Sequence, residues 1–328
     1  MWWVFLNMGV VDKFSNYRRL RGVARYADIL LHNRPVLVNL EVIKSCNATC
    51  HFCVCWTMDA GPRLRDYGPV IRKLKPIVVS INGGEPLLRN DICDIIRQVK
   101  PYSIYTAIIT NAGLLTLDKA KALIDAGLDQ ITISLDYLDE RHNKVRGIPN
   151  LVDHILGLIP QIKELGFNNI VFNTILMRSN LDCVTKIALK AHELGVKNSF
   201  SAYAAVKADN DTEVIHADDQ VHLKEVVEEL KSLKKKNGNI LSSEYFFNHV
   251  PIFFEHQKIG GCKAGQRWVT VTPDGYIQPC SETPRVTHYT EYSPDKFGDI
   301  DCDVCWYACR AESQAPVTLQ RIGEWVRR

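Results

Sequence analysis

Residues 77–86 read Ile-Val-Val-Ser-Ile-Asn-Gly-Gly-Glu-Pro, and this stretch contains the unit from which the fold is predicted. Its first residues are mostly β-branched, as in a buried strand, and the glycines mark a turn at the strand's carboxyl end. Five other stretches have the same strand character: residues 36–43, 103–110, 129–136, 169–177 and 197–203. The sequence therefore predicts six short strands.

Helical patterns lie between the predicted strands. Apolar residues recur at helical spacing in residues 64–74, 91–99, 117–126, 151–165 and 181–194. Strands that alternate with helices form right-handed βαβ units and a parallel sheet. Because six strands are too few to close an eight-stranded barrel, we predict an α/β fold, a partial (β/α)6 TIM-like barrel with its chemistry at the carboxyl ends of the strands.

The pattern changes after the sixth strand. Residues 218–236 form a long charged helical pattern. From residue 260 the chain is rich in Gly, Pro, Cys and Tyr, with a hairpin-like stretch at 267–277. We therefore predict four regions, which are an N-terminal amphipathic extension (1–35), the barrel core (36–210), a helical linker (211–258) and a small Cys-rich domain (259–328).

Composition narrows the classes of function. Of the 328 residues, 46% are hydrophobic and 23% are charged, which is ordinary for a globular protein and excludes a disordered chain. The 40 Lys and Arg barely exceed the 37 Asp and Glu, so no nucleic-acid surface is predicted. No segment reaches the roughly 18 apolar residues needed to span a bilayer. The 11 cysteines, mostly in two clusters, indicate metal or cluster binding in a reducing compartment.

The N-terminal region has two interpretations. Residues 17–31 place arginines between apolar residues at helical spacing. Such a helix either packs on the body of the protein or lies as a basic amphipathic helix on a membrane surface. Met8 is an alternative start to Met1, and the sequence leaves both choices open.

The first cysteine cluster follows directly on the first predicted strand. Residues 46–53 read Cys-Asn-Ala-Thr-Cys-His-Phe-Cys, and the cysteines are Cys46, Cys50 and Cys53. Three thiolates on one short loop can bind three irons of a [4Fe–4S] cluster and leave the fourth iron open. A closed cluster or a structural zinc site needs a fourth ligand, which Cys55 or His51 could provide.

The turn at the end of the second strand favours the open cluster. Gly83 and Gly84 remove side chains, so that the backbone can approach a ligand closely. Glu85 follows with a carboxylate, and a free α-amino group would match it. The alternative for this motif alone is a simple Gly-rich βα turn.

Polar residues also end the next three predicted strands. Asn111 follows the third strand, and Ser134 and Asp136 lie on one side of the fourth, where a hydroxyl and a carboxylate suit a ribose. Asn173 lies amid apolar neighbours in the fifth strand, where it either reaches a ligand or bonds locally. Together these residues predict a site for a ligand of the shape of S-adenosylmethionine (SAM) beside an open iron.

These features resemble the radical SAM enzymes. The resemblance covers about half of the chain, residues 36–203, and rests on the C-x3-C-x2-C loop with Phe52 before its last cysteine, the Gly-Gly-Glu-Pro turn and Ser-Leu-Asp at 134–136. It implies that the three cysteines hold a [4Fe–4S] cluster with exchangeable SAM. It also implies that the following residues bind the cofactor: Gly83, Gly84, Glu85, Asn111, Ser134, Asp136, Arg146 and Asn173. The alternative for Arg146 is an exposed arginine beside a helix.

A second cysteine cluster lies near the C-terminus and comprises Cys262, Cys280, Cys302, Cys305 and Cys309. Its C-x12-G-x4-C opening is similar to the SPASM and twitch modules that follow many radical SAM barrels. A full SPASM module has more cysteines than these, so we predict a single auxiliary [4Fe–4S] cluster. The preferred ligands are Cys262, Cys280, Cys302 and Cys305, with Cys309 as a competing ligand and zinc as the alternative metal.

The resemblance also implies a reaction. A radical SAM enzyme cleaves SAM reductively to a 5′-deoxyadenosyl radical, which abstracts hydrogen from an unactivated C–H bond. We expect a peptide or protein substrate, or a lipid-like or small-molecule one, and a small electron donor such as flavodoxin or ferredoxin. The expected location is the cytoplasm, with peripheral contact to the inner face of the membrane through residues 1–31 as an option. The alternative is a non-enzymatic iron–sulfur electron carrier or a zinc-binding interaction protein.

Overall fold

The computed structural model describes residues 15–316 of the chain. The expectations for residues 1–14, including the choice of start, lie outside the described residues. So does the end of the predicted Cys-rich domain, residues 317–328.

Six parallel strands form the barrel part of the sheet, as predicted. They are β1 (Leu37–Ile43), β2 (Val78–Gly83), β3 (Tyr105–Thr110), β4 (Gln130–Ser134), β5 (Ile170–Leu176) and β6 (Lys197–Ala202). Each strand pairs in parallel with the next one along the chain. The sheet is not closed, and the predicted fold class, a partial barrel, is confirmed.

Ten α-helices accompany the strands in the described residues: α1 (Ser15–Leu31), α2 (Gly68–Leu74), α3 (Ile92–Val99), α4 (Leu117–Asp125), α5 (Glu140–Arg146), α6 (Leu151–Glu164), α7 (Val184–Glu193), α8 (Gln220–Asn237), α9 (Glu244–His256) and α10 (Ala308–Gln314). The structure begins α2 four residues later than predicted, with a proline in its first turn. The sequence analysis missed three helices: α5, which is short and polar, α9, which contains Pro251, and the short α10.

The helices pack against the sheet through apolar faces, whose residues recur at intervals of three and four. Helix α3 shows this most simply, because Ile92, Ile95, Ile96 and Val99 are all buried, at intervals of three and four residues. These side chains share one hydrophobic core with Val38, Leu40 and Val42 of β1. The core thus fixes β1, and with it the starting point of the first cysteine loop.

The predicted hairpin of the C-terminal region exists, and it extends the barrel sheet. β7 (Trp268–Val271) pairs in parallel with β1, and β8 (Tyr276–Gln278) and β9 (Thr287–His288) follow antiparallel. The sheet therefore has nine strands in the order β6-β5-β4-β3-β2-β1-β7-β8-β9. The turn between β7 and β8 places Gly275 at φ +89°, a conformation that favours glycine. The four predicted regions remain a prediction.

Helix α1 packs against the amino-terminal ends of β1, β2 and β3. Its Arg25 donates from Nη1 to the carbonyls of Pro76 (3.2 Å) and Tyr102 (3.0 Å). Leu20 and Leu31 of the same helix are 69% and 79% exposed. Among the described residues, no helix has both the length and the apolar character required to span a membrane.

Candidate active site

The first cysteine loop lines a cavity of about 340 Å³ at the carboxyl ends of the strands. Cys46, Cys50 and Cys53 all contribute to its wall, so the structure brings the three predicted ligands to one space. Residues of the C-terminal region line the same cavity, among them Glu282 and Tyr307. The cavity is therefore enclosed by both the barrel and the Cys-rich region.

The two glycines of the turn are required by the cysteine loop itself. A Cβ atom on Gly84 would lie 2.0 Å from the carbonyl oxygen of Ser45, and one on Gly83 would lie 2.2 Å from that of Ile43. The backbone N–H of Gly84 donates to Ile43 (2.9 Å), and that of Glu85 donates to Ser45 (3.0 Å). Both glycines also line the cavity. The absence of side chains at Gly83 and Gly84, which was predicted to admit a ligand, thus first allows the turn to pack against the backbone of the cysteine loop.

Glu85 is buried and held by groups of the protein. Its Oε1 accepts from Thr110 Oγ1 (2.7 Å) and from the backbone N–H of Leu87 (3.0 Å), and its Oε2 accepts from that of Asn111 (2.8 Å). Burial raises the pKa of Glu85, although these three donors oppose the shift. The carboxylate lines the cavity with acceptor capacity remaining on Oε2.

Asn111 connects the third strand to the cysteine loop. Its Nδ2 donates to Asn47 Oδ1 at 2.9 Å and lies 3.8 Å from Cys46 Sγ. Its Oδ1 accepts from the backbone N–H of Gly113 (2.8 Å). Asn111 lines the cavity as predicted, with its side chain directed to the loop that carries the first thiol.

Ser134 and Asn173 lie side by side on the cavity wall, because the register of β4 and β5 pairs them. Asp136 does not reach the wall. It is fully buried, its Oδ1 accepts from the backbone N–H of Ile175 (2.9 Å), and its Oδ2 pairs with Arg146. Because β4 ends at Ser134, the alternation of a strand no longer applies at Asp136, and its expected position beside a ribose stays a prediction.

Arg146 is a buried residue of the site, not an exposed one. Its Nη1 donates to Cys50 Sγ (3.5 Å), its Nη2 donates to Asp136, and its guanidinium lies 5.5 Å from the centre of the Phe52 ring. Burial works against its charge, but Asp136 and Cys50 offset this, and the pKa of Arg146 is raised. The guanidinium therefore stays charged beside a cysteine thiol.

The surroundings shift the pKa values of the thiols of the first cluster in different directions. Burial is the main cause that raises the pKa values of Cys46 and Cys50. The Cys55 thiol is a hydrogen-bond partner of Cys53 and lowers the pKa of Cys53 to about 5. Cys55, unassigned by the ligand prediction, is thus a neighbour of the last ligand.

Three charged residues of the cavity wall escaped the sequence analysis. Glu41 lies in β1 and pairs with Lys44. The Nζ of Lys207 lies 3.9 Å from the Oε1 of Glu282 at the cavity wall. Glu41 had a detectable signal, since a carboxylate inside an apolar strand needs a reason. Lys207 and Glu282 come from separate irregular segments, and no local pattern could have joined them.

The second cysteine cluster lies behind the cavity. Cys262, Cys280 and Cys302 pack with Trp268 in a small apolar cluster of their own. Cys305 is buried in the main core, and Cys309 alone of the five lines the cavity. All 11 cysteines of the chain are free thiols in the structure.

A buried arginine accompanies this second cluster. Arg310 is 0% exposed, and it donates from Nη1 to the carbonyl of Cys305 (2.8 Å) and from Nη2 to those of Ile259 and Gly260 (2.8 Å to the latter). Its Nε has no hydrogen-bond partner. Within residues 15–316 no carboxylate pairs with this guanidinium, and its charge acts on the thiols of Cys262 and Cys305.

In the part of the chain that the structure describes, no three His, Cys, Asp or Glu side chains converge as around one metal ion. The ligands of a four-iron cluster bind different irons and are held further apart.

Residues 40–191 match the family model described as the Radical SAM superfamily. The chain is similar to the GTP 3′,8-cyclase of Aquifex aeolicus (strain VF5), with 30% identity over 211 residues, 58% of this chain and 65% of that protein. It is also similar to the AdoMet-dependent heme synthase of Methanosarcina barkeri (strain Fusaro / DSM 804), with 30% identity over 176 residues, 51% of this chain and 50% of that protein.

Solved structures share the fold. Streptococcus suis SuiB bound to S-adenosylmethionine superposes with a TM-score of 0.66 at 18% identity, covering 89% of this chain and 73% of that one. The structure of SuiB bound to the precursor peptide SuiA gives a TM-score of 0.65 at 18% identity, covering 89% and 71%. The residues matched by the family model include the first cysteine loop and the Gly-Gly-Glu-Pro turn, so the barrel part of the chain is a Radical SAM domain. The chain spans between half and two thirds of the length of the two curated relatives named above.

Proposed function

We propose that this protein binds SAM at a [4Fe–4S] cluster held by Cys46, Cys50 and Cys53 and cleaves it reductively. The observation that carries the proposal is the meeting of these three thiols with the Gly-Gly-Glu turn in one cavity. When bound, the cluster would supply the electron for reductive cleavage of SAM, and the cleaved SAM would serve to abstract hydrogen from an unactivated C–H bond.

The hydrogen-bond donors next to the cysteine thiols are compatible with a bound iron–sulfur cluster. The backbone N–H of Ala48 donates to Cys46 Sγ (3.4 Å), and Arg146 donates to Cys50 Sγ (3.5 Å). A sulfur ligand of a cluster carries negative charge and is stabilised by such donors. The Nε of Arg146 is buried without a partner, and an anionic group in the cavity would satisfy it.

The remaining cofactor residues would orient SAM. The backbone of Gly83 and Gly84 and the Oε2 of Glu85 are available to its amino group, and Ser134, Asn173 and Asn111 offer polar side chains to the nucleoside. Asp136 is joined to this set through its pair with Arg146. The apolar wall, which includes Phe52, Ile109, Ile175 and Tyr203, would exclude water from a reactive radical.

The direct test of this function is product analysis. The anaerobically reconstituted full chain, given dithionite and SAM, is expected to release 5′-deoxyadenosine and methionine, detected by chromatography with mass spectrometry. A protein that binds iron but forms no 5′-deoxyadenosine would instead support the non-enzymatic alternative, an electron carrier or a zinc-binding interaction protein.

A polar substrate, either a peptide or a small molecule, is our first candidate. The part of the cavity wall formed by Lys207, Glu282, Ser201 and Thr270 offers charges and hydroxyls. SuiB, which shares the fold, binds a precursor peptide, and the curated relatives are named for small-molecule chemistry. For the electron donor we propose a flavodoxin or ferredoxin.

A lipid-like substrate is the second candidate, and helix α1 favours it. Leu20, Val23, Leu30 and Leu31 are exposed on a helix whose sequence contains four arginines, a combination that suits an anionic membrane surface. We therefore propose a cytoplasmic protein with peripheral contact to the inner face of the membrane through residues 1–31.

Vesicle binding tests this contact. With Leu20→Glu and Leu31→Glu combined, we expect at least about tenfold weaker co-sedimentation with phosphatidylglycerol-containing vesicles, because each leucine buried in lipid contributes about 1.5–3 kcal/mol. The matched control is Val221→Glu on α8, 72% exposed, which should bind as the wild type does. Equal binding of the three proteins, or none by the wild type, would refute the contact.

At the second cluster we propose an auxiliary [4Fe–4S] cluster held by Cys262, Cys280, Cys302 and Cys305. The support is Arg310, since a buried cation without a carboxylate partner is costly unless an anionic group lies beside it. Four thiolates bound to a metal provide that charge. Cys309 is the competing ligand and zinc is the competing metal, and either would satisfy the same arginine.

A further inference from the structure

The guanidinium of Arg146 has a contact that its expected role in SAM binding does not explain. Its Nη1 donates to Cys50 Sγ at 3.5 Å, so one of the three proposed cluster ligands carries a hydrogen bond from a buried cation. The contact leaves the Nε of Arg146 without a partner. Arg146 can therefore act on a cluster and on SAM through different nitrogens.

Asp136 is the anionic partner that orients the guanidinium of Arg146. Its Oδ2 accepts from Arg146 Nη2, and its Oδ1 is fixed by the backbone N–H of Ile175 (2.9 Å). Asp136 is 0% exposed, and the structure places it away from the cavity wall. Asp136 thus orients the arginine, and its own negative charge also acts directly on the Cys50 thiol, whose pKa it raises.

The backbone ties this pair to the cysteine loop. The N–H of Thr49 donates to the carbonyl of Arg146 at 2.9 Å. Gly147 follows at φ +65°, and a Cβ atom there would lie 2.1 Å from Thr49 Oγ1. The end of α5 is therefore packed closely against the loop, which keeps the backbone of Arg146 near that of Cys50.

The charges of Arg146 and Asp136 have opposite effects on the reduction potential of a cluster. A cation beside a ligand sulfur stabilises the reduced cluster, which carries one more negative charge, and raises the reduction potential. A nearby carboxylate destabilises the reduced form and lowers the potential. Both effects are large at a buried site because the surroundings screen charge poorly.

We propose that Arg146 and Asp136 are positioning residues that together set the reduction potential of the cluster bound by Cys46, Cys50 and Cys53. Arg146 raises the potential, and Asp136 limits the rise. The proposal rests on the proposed function. The step that it governs is the transfer of one electron from a flavodoxin or ferredoxin to the cluster, during which no bond of the protein is made or broken.

The test is a redox titration of the reconstituted full chain without SAM, followed by electron paramagnetic resonance. We expect Arg146→Gln to shift the reduction equilibrium about tenfold toward the oxidised cluster, which is about 59 mV for a one-electron couple. Asp136→Asn should shift it in the opposite direction by a similar factor. The control is Arg25→Gln, because Arg25 is another arginine with hydrogen bonds to the protein, in its case to backbone carbonyls, and it lies outside the site.

A purely structural pair would behave differently. Loss of support for the loop would reduce iron content or shift both variants in the same direction, and either unchanged potentials or shifts of the same sign would overturn the proposal. If Arg146→Gln does not retain iron, the test rests on Asp136→Asn alone. A reduction potential that is unchanged or lower in Asp136→Asn than in the wild type then contradicts the proposal. Arg146→Lys keeps a cation and should shift less than Arg146→Gln. A wild-type chain without any reducible cluster would contradict the proposed function instead.

Discussion

Replacing Cys46, Cys50 and Cys53 together by alanine is expected to abolish SAM cleavage entirely. Wild-type protein with two four-iron clusters should bind about eight irons per chain, and the triple variant about four, because the C-terminal cluster uses other cysteines. The physical reason is that, within residues 15–316, the wall of the cavity where SAM is proposed to bind has one further cysteine, Cys309, and a single thiolate cannot hold the cluster. The measurements are 5′-deoxyadenosine formation and iron content.

The matched control for this variant is Cys93→Ala. Cys93 lies half-buried in α3, away from the cavity, and its replacement should leave iron content and product formation unchanged. If the triple variant loses all iron, the two cysteine clusters do not assemble independently. If it still produces 5′-deoxyadenosine, the assignment of the ligands is wrong. About four irons and one zinc in the wild type would support the zinc alternative for the second site.

Gly84→Ala is expected to be the most damaging single substitution outside the cysteines. The new methyl carbon would lie 2.0 Å from the oxygen and 2.4 Å from the carbon of the Ser45 carbonyl, both of them backbone atoms that cannot rotate away. We expect a loss of about 3 kcal/mol in the free energy of unfolding. Anaerobic urea unfolding checks the value, and iron retention checks the loop.

Gly157→Ala is the control for this prediction. Gly157 lies inside α6 with no atom within 4 Å of an added Cβ, and alanine should stabilise the helix by about 0.5–1 kcal/mol. Similar unfolding curves for Gly84→Ala and the wild type would mean that the turn and the loop are not joined as described.

The barrel could be predicted from the sequence because burial imposes regular patterns on strands and helices. Each predicted strand corresponds to one of β1–β6, and the glycines of the turn were recognised from sequence alone. The cysteine loop was found for a similar reason, since three ligands of one cluster are close in the chain. These are local signals, and local signals do not depend on how distant segments meet.

The surroundings of Asp136, Lys207 and Glu282 depend instead on contacts between segments that are distant in the sequence. Asp136 was assigned to the cavity by strand alternation, but β4 ends two residues earlier and the carboxylate turns to Arg146. Lys207 and Glu282 become neighbours only because the Cys-rich region covers the end of the barrel. Long-range packing of this kind leaves no pattern in a single sequence.

The central claim is that one iron of the N-terminal cluster has no protein ligand and is open to SAM. The most direct measurement is electron paramagnetic resonance of the reduced cluster before and after SAM is added, in protein reconstituted without oxygen. We predict a changed spectrum in the wild type and no such change in the triple cysteine variant, whose remaining signal would come from the second cluster. A wild-type spectrum that SAM leaves untouched would contradict the account.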